Sequence, residues 1–158
     1  MERPGATLDR SVEGQELGVG PAGAVALRPF SLATTELLAH SEWLGSAPPG
    51  RAWLALGLRD FAVPRVSGSV SVRLDLAASF SLVLADGQVV PAVEMGEPGV
   101  GLTVYFDVPE DLRSFVVRVT PTFGVEGGPA PGPLVFATAE VPVELRPGAL
   151  GDDRRRPR

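Results

Sequence analysis

Four amino acids are missing altogether from the 158 residues, namely cysteine, lysine, asparagine and isoleucine, and histidine and tyrosine occur once each, as His40 and Tyr105. Without cysteine there is no disulfide framework, no thiolate nucleophile and no zinc–sulfur site. Without lysine, Schiff-base chemistry is excluded. All 14 basic residues are arginine, the bias that a very GC-rich coding sequence produces, so the arginine count says little about selection for bidentate contacts. A formal net charge of −5 argues against a nucleic-acid surface, which must neutralise phosphates. Only Arg154, Arg155, Arg156 and Arg158 cluster. No apolar run approaches the roughly 20 residues that span a bilayer, and Met1–Gly18 carries no apolar segment of the kind found in signal peptides. The expectation is a cytoplasmic protein, or an extracytoplasmic one whose export segment lies upstream of Met1.

What the chain does have is alternation. In Gly101–Val119, Leu102, Val104, Phe106 and Val108 alternate with Thr103, Tyr105 and Asp107, the period-2 pattern of a half-buried strand. Pro109–Leu112 breaks the run as a solvated corner, and Phe115, Val117 and Val119 resume it. Arg51–Val63 alternates in the same way, with Leu54, Leu56 and Leu58 on one face and Trp53, Gly57 and Arg59 on the other. A further strand carries Val70, Val72, Leu74 and Leu76. Between Ser79 and Val93, Asp86-Gly87 predicts a two-residue type I′ hairpin that pairs Ala85 with Gln88 and Leu82 with Pro91. Pro91 then fits Gln88–Val93 as an edge strand.

The remaining segments are less regular. Ala24–Leu38 reads as one or two strands broken at Pro29, and Leu37, Leu38 and Leu44 share helical spacing, which predicts a short helix over Glu36–Leu44. Gly124–Pro133 reads as a flexible loop, Leu134–Leu145 as the last strand and residues 148–158 as a charged tail. Residues 1–17 read as a flexible segment, because Met1–Gln15 has no periodicity. Gly and Pro number 19 and 16 and are spread through the chain, as turns between many short strands would require. The fold class is therefore all-β, an immunoglobulin-like antiparallel β-sandwich of about 7–9 strands over residues 18–147.

The catalytic vocabulary is thin. There is no GxSxG elbow and no GxxxxGK[ST] loop. A Ser–His–Asp triad would have to use His40, whose neighbours Glu42 and Trp43 form no ligand pattern. Carboxylates offer acid–base or calcium chemistry through Glu94 with Glu97, or Asp107 with Glu110 and Asp111; both groups fall in or beside turns, where acids are common for solvation. No DxDxDG spacing is present. Trp43, Trp53 and Tyr105 are the aromatics that a binding surface would use. Trp53 and Tyr105 lie opposite the apolar stripes of their strands, which favours exposure, the alternative being that an inserted helix or loop covers that face.

Three stretches carry a resemblance. Pro49-Gly50-Arg51-Ala52-Trp53-Leu54-Ala55-Leu56-Gly57-Leu58, Phe80-Ser81-Leu82-Val83-Leu84-Ala85-Asp86-Gly87 and Val104-Tyr105-Phe106-Asp107-Val108-Pro109-Glu110-Asp111 resemble, in order, motifs of the bacterial DUF4352 family over about residues 20–120. That family is similar to MPT63-type secreted antigens of immunoglobulin-like fold. The chain departs from it in replacing an Asn-rich turn with Asp60–Pro64 and in lacking a lipoprotein cysteine. The resemblance implies an extracytoplasmic accessory domain, with any membrane tether outside this chain, and brings no catalytic residues or cofactor with it. The resulting expectation is a non-catalytic binding domain of the cell envelope that contacts a protein partner, with Trp53 and Tyr105 as binding residues and no cofactor, metal or nucleic acid. The alternatives are a carboxylate-dependent hydrolase or calcium-binding domain, and a purely structural module of a larger assembly.

Overall fold

The computed structural model describes residues 3–18, 24–64, 71–99, 101–127 and 132–147. Its first four strands, β1 (Gly5–Val12), β2 (Gln15–Gly18), β3 (Ala24–Leu27) and β4 (Phe30–Leu38), make one long kinked hairpin, with β1 on β4 and β2 on β3. The kink falls at Gly14 and Pro29. Pro29 has no N–H to give to a ladder, and a Cβ on Gly14 would stand 3.0 Å from the Leu27 carbonyl oxygen and 3.1 Å from Pro29 Cδ. Residues 5–12, expected as part of a flexible tail, are thus a sheet strand. Its alternation is hidden by a bulge between Thr7 and Arg10, where Asp9 takes φ 45°.

After β4 come a two-stranded flap, β5 (His40–Ser41) with β6 (Gly45–Ser46), and then β7 (Arg51–Arg59). The helix expected over Glu36–Leu44 does not form. β4 runs on to Leu38, with Leu37 facing the core and Leu38 the opposite side, and both sides of this strand are covered. β8 (Ser71–Leu74) leads through the single turn α1 (Leu76–Ser79) into β9 (Phe80–Leu84), β10 (Val89–Pro91), β11 (Glu94–Gly99) and β12 (Gly101–Pro109). β13 (Ser114–Val119), β14 (Thr122–Glu126), β15 (Gly132–Val135) and β16 (Ala139–Glu144) complete the chain order. Gly132–Val135 and Ala139–Glu144 replace the single last strand expected over Leu134–Leu145. The expected charged tail lies outside the described residues.

A five-stranded sheet, β1-β4-β7-β12-β11, faces a four-stranded one, β10-β9-β13-β16. The alternating faces meet between them: Leu54, Leu56, Val104, Phe106 and Val108 from one sheet, and Phe80, Leu82, Val117 and Val119 from the other, are all fully buried in one core. This is an all-β sandwich, and residues 109–112 form the corner that carries the chain from one sheet to the other. Phe61 closes one end, edge-on to Phe30 at 4.9 Å and to Phe80 at 5.8 Å.

The β9–β10 hairpin corrects the expected register by one residue, pairing Leu82 with Val90 and Ser81 with Pro91. The loop is three residues, Ala85-Asp86-Gly87, in which Gly87 alone has positive φ (89°) and donates to the Leu84 carbonyl at 2.9 Å. That is a type I turn followed by a left-handed glycine, rather than the type I′ turn. Pro91 still turns its missing N–H away from β9, because Leu84–Gln88 and Phe80–Ala92 are the hydrogen-bonded positions. β10 is an edge strand, as expected.

A separate three-stranded sheet, β15-β14-β8, meets the end of the four-stranded one. The joint is held by Ser79, whose Oγ accepts from Thr122 N–H at 2.8 Å and donates to Thr122 O at 3.1 Å. A single buried hydroxyl stands in for a pair of ladder bonds where the strands bend. In the facing sheet, Thr35 is 1% exposed and its Oγ1 has no hydrogen-bond partner among the described residues. Burying an unpaired hydroxyl costs about 1–3 kcal/mol, and valine has the same shape and favours strands. Thr35→Val is therefore expected to raise the urea midpoint, by about 1 kcal/mol of unfolding free energy. A loss of stability would mean that the hydroxyl is satisfied.

Candidate binding face

The outer face of the five-stranded sheet carries the two residues singled out from sequence. Trp53 on β7 and Tyr105 on β12 are only 9% and 4% exposed, so exposure, the favoured reading, is corrected and the alternative of a covered face holds. They pack with Ala55, Leu38, Leu44 and Ala47 in a small second cluster, separate from the main core. The alternation places both side chains away from the core as anticipated; what covers them is the β5–β6 flap. The flap is tied down at several points. Trp53 Nε1 donates to Gly45 O at 2.9 Å, and Ala47 N–H donates to Ala39 O at 2.9 Å. Ser41, itself buried, accepts on Oγ from the N–H groups of Trp43 at 3.0 Å and Leu44 at 3.3 Å, fixing the turn that holds Trp43. His40 Nδ1 lies 3.3 Å from Ser46 Oγ, on the exposed rim of the flap.

Trp43 is the aromatic that remains open, at 48% exposure. Its indole lies across to the edge strand β11. A Cβ built on Gly96 would stand 2.6 Å from Trp43 Nε1, 2.6 Å from Cε2 and 2.8 Å from Cδ2. Near-equal distances to three atoms of the five-membered ring place Gly96 under the ring face, so one face of the indole rests on backbone. Only glycine permits this approach. Gly96 pairs with Thr103 and Glu94 with Tyr105, and since residues two apart on a strand share a face, Glu94 stands on the same side of β11 as the indole. The sequence carried a signal here: Trp43 was among the candidate aromatics, but nothing local linked it to Gly96, 53 residues further on.

Around this face the charges are mostly paired. Arg51 Nε donates to Asp107 Oδ1 at 2.9 Å and Nη2 to Asp107 O at 3.1 Å; Arg59 lies 3.5 Å from Asp9, and Arg3 lies 3.6 Å from Glu36. Of the acids expected to act together, the Glu97 side chain lies outside the described residues, and Asp107, Glu110 and Asp111 form no cluster. Glu94 is on β11, Asp107 is paired with Arg51, and Glu110 and Asp111 are exposed in the corner. Among the described residues no group of three or more His, Asp and Glu is placed to hold a metal ion.

The second sheet has its own unusual surface. Val89, Val83, Val116 and Pro142 stand in register across all four of its strands, and Val89 is 48% exposed. An open groove of about 520 Å3 runs over Val83, Val116 and Pro142. Compared with protein-family models, with curated proteins and with solved structures, the chain matches none.

Proposed function

We propose that this chain is a non-catalytic binding domain, an immunoglobulin-like accessory module of the bacterial cell envelope, which contacts a protein partner through the Trp43 face of its five-stranded sheet. The observation that carries the reading is an exposed tryptophan held in place. The ring is backed by Gly96, its turn is fixed by Ser41, and the flap is anchored to Trp53. An indole ordered in advance gives up little entropy on binding, and tryptophan is enriched among the residues that dominate interface energies. In this arrangement Trp53 and Tyr105 contribute to binding as the support beneath the contact residue. The envelope assignment rests on the family resemblance.

The test is a photo-crosslinking amino acid at position 43 of the full chain, expressed in the source cells, with position 89 on the other sheet as the control. The expected result is a protein crosslink from position 43, recovered with the envelope fraction. Crosslinks from position 89 alone would move the contact to the second sheet. There the apolar row Val89–Val83–Val116–Pro142 favours the reading of a structural module packed into a larger assembly.

A further inference from the structure

The Trp43 face carries a chemical preference as well as a shape. Its free indole surface is an electron-rich ring face, attractive to a cation and best of the aromatics for that purpose. Glu94 stands on the same face of β11 and is half-buried, and Glu42 precedes Trp43 in the flap turn. Neither acid has an ion-pair partner among the described residues, whereas Arg51, Arg59 and Arg3 are matched with Asp107, Asp9 and Glu36. An unmatched acid on the strand face that seats the indole, with a second next to Trp43 in the chain, disfavours an anion and leaves a place for a positive charge.

We propose that this patch receives an arginine side chain of the partner protein, with its guanidinium plane stacked on the free face of Trp43 and its N–H groups donating to the Glu94 carboxylate. This rests on the reading of the Trp43 face as the contact surface and adds the chemistry of what it contacts. Arginine suits the site better than lysine. Its guanidinium is planar, sheds water more readily and can stack and donate sideways at once, which an ammonium cannot do. A sugar ring also stacks on an indole, but it would leave both carboxylates without a counter-charge.

The test uses the full chain at about physiological salt, where general attraction to a negatively charged protein is screened beyond about 8 Å. Amidated tetra-arginine and tetra-lysine peptides and cellohexaose are titrated while tryptophan emission is followed. The arginine peptide is expected to bind tightest and to change the emission of Trp43. Trp43→Ala, which removes the reporting ring and is therefore titrated by calorimetry alongside the parent, and Glu94→Gln are expected to weaken it about five- to tenfold each, in line with a partly desolvated cation–π and charge-assisted contact. Gly96→Ala, which pushes the ring off its seat without changing charge, is expected to weaken it similarly. Glu144→Gln on the second sheet, an equal change in charge, should leave it unaltered. Equal weakening by Glu94→Gln and Glu144→Gln, equal affinity for the lysine peptide, or a response to cellohexaose alone would overturn the proposal. The two readings separate cleanly: a cellular crosslink from position 43 without any arginine preference overturns this inference and leaves the binding reading standing.

Discussion

Replacing Trp53 with alanine is expected to lower the unfolding free energy by about 3–5 kcal/mol, the usual cost of emptying a buried tryptophan site. The loss has two parts. The indole fills the space between Ala55, Tyr105 and the flap residues Leu44 and Ala47, and that volume cannot collapse easily because it lies between a sheet and a tied-down turn. Its Nε1 also holds the flap through Gly45 O at 2.9 Å. Trp53→Phe keeps much of the packing but drops that bond, so its own cost includes about 1 kcal/mol for the hydrogen bond alone. The two variants are compared by urea unfolding and by the emission of the remaining Trp43. Release of the flap should move that emission to the red in native buffer, as Trp43 leaves Gly96 for water. A Trp53→Ala protein as stable as the parent would show that the flap and the outer cluster contribute nothing to the folded state.

Ser79→Ala has the second-largest expected effect. Ser79 is fully buried where the three-stranded and four-stranded sheets meet, and its hydroxyl serves both the N–H and the C=O of Thr122. Thr122 O keeps a second donor, the N–H of Asp75 at 2.9 Å, so the carbonyl stays satisfied when the hydroxyl is removed. The Thr122 N–H has no such reserve and is left unpaired in a dry joint. The expected loss is about 2 kcal/mol, the cost of one orphaned buried donor together with the bond that served it. Hydrogen exchange gives the sharper reading. Protection should fall at Thr122 and along Phe123–Glu126, while Phe106 and Val108 in the facing sheet stay protected until global unfolding. An unchanged exchange pattern would mean that water satisfies Thr122 and that the joint is not dry.

Both experiments bear on how the candidate face is built. The contact residue Trp43 is held by its flap and by the seat on Gly96, and the flap is held by Ser41, Trp53, the Ala47–Ala39 hydrogen bond and the packing of Leu44. A change at Trp53 therefore reaches the surface, whereas a change at Ser79 acts within the other sheet. If the arginine affinity of Ser79→Ala matches that of the parent while Trp53→Ala loses it, the surface depends on its own local support rather than on overall stability.

The main strands were legible from sequence because each is read by a local rule. Leu54, Leu56 and Leu58 against Trp53 and Gly57, and Val104, Phe106 and Val108 against Thr103 and Tyr105, are strand patterns that need no knowledge of the partner. The break at Pro29, the corner at Pro109 and the edge position of Pro91 follow in the same way from proline's missing N–H. Where local rules competed, they misled. Leu37, Leu38 and Leu44 fit helical spacing, but Leu37 packs into the main core while Leu38 and Leu44 serve the outer cluster. Asp-Gly permits more than one hairpin, and the three-residue loop wins at Ala85–Gly87, where only Gly87 takes a positive φ.

The sequence by itself determined the class of this protein: alternating strands punctuated by glycine and proline, with no lysine or cysteine chemistry open to it. It also determined which way Trp53 and Tyr105 point, since strand alternation decides sidedness. Only the tertiary structure decided what lies over them. Burial on an outer face depends on which distant segment folds across it, and the segment here, His40–Ser46, has almost no regular pattern of its own. The seat of Trp43 on Gly96 is likewise a contact between two elements that meet only after two strands, β7 and β12, have paired between β4 and the edge strand β11. Exposure is a property of the assembled surface, and no periodicity along the chain encodes it.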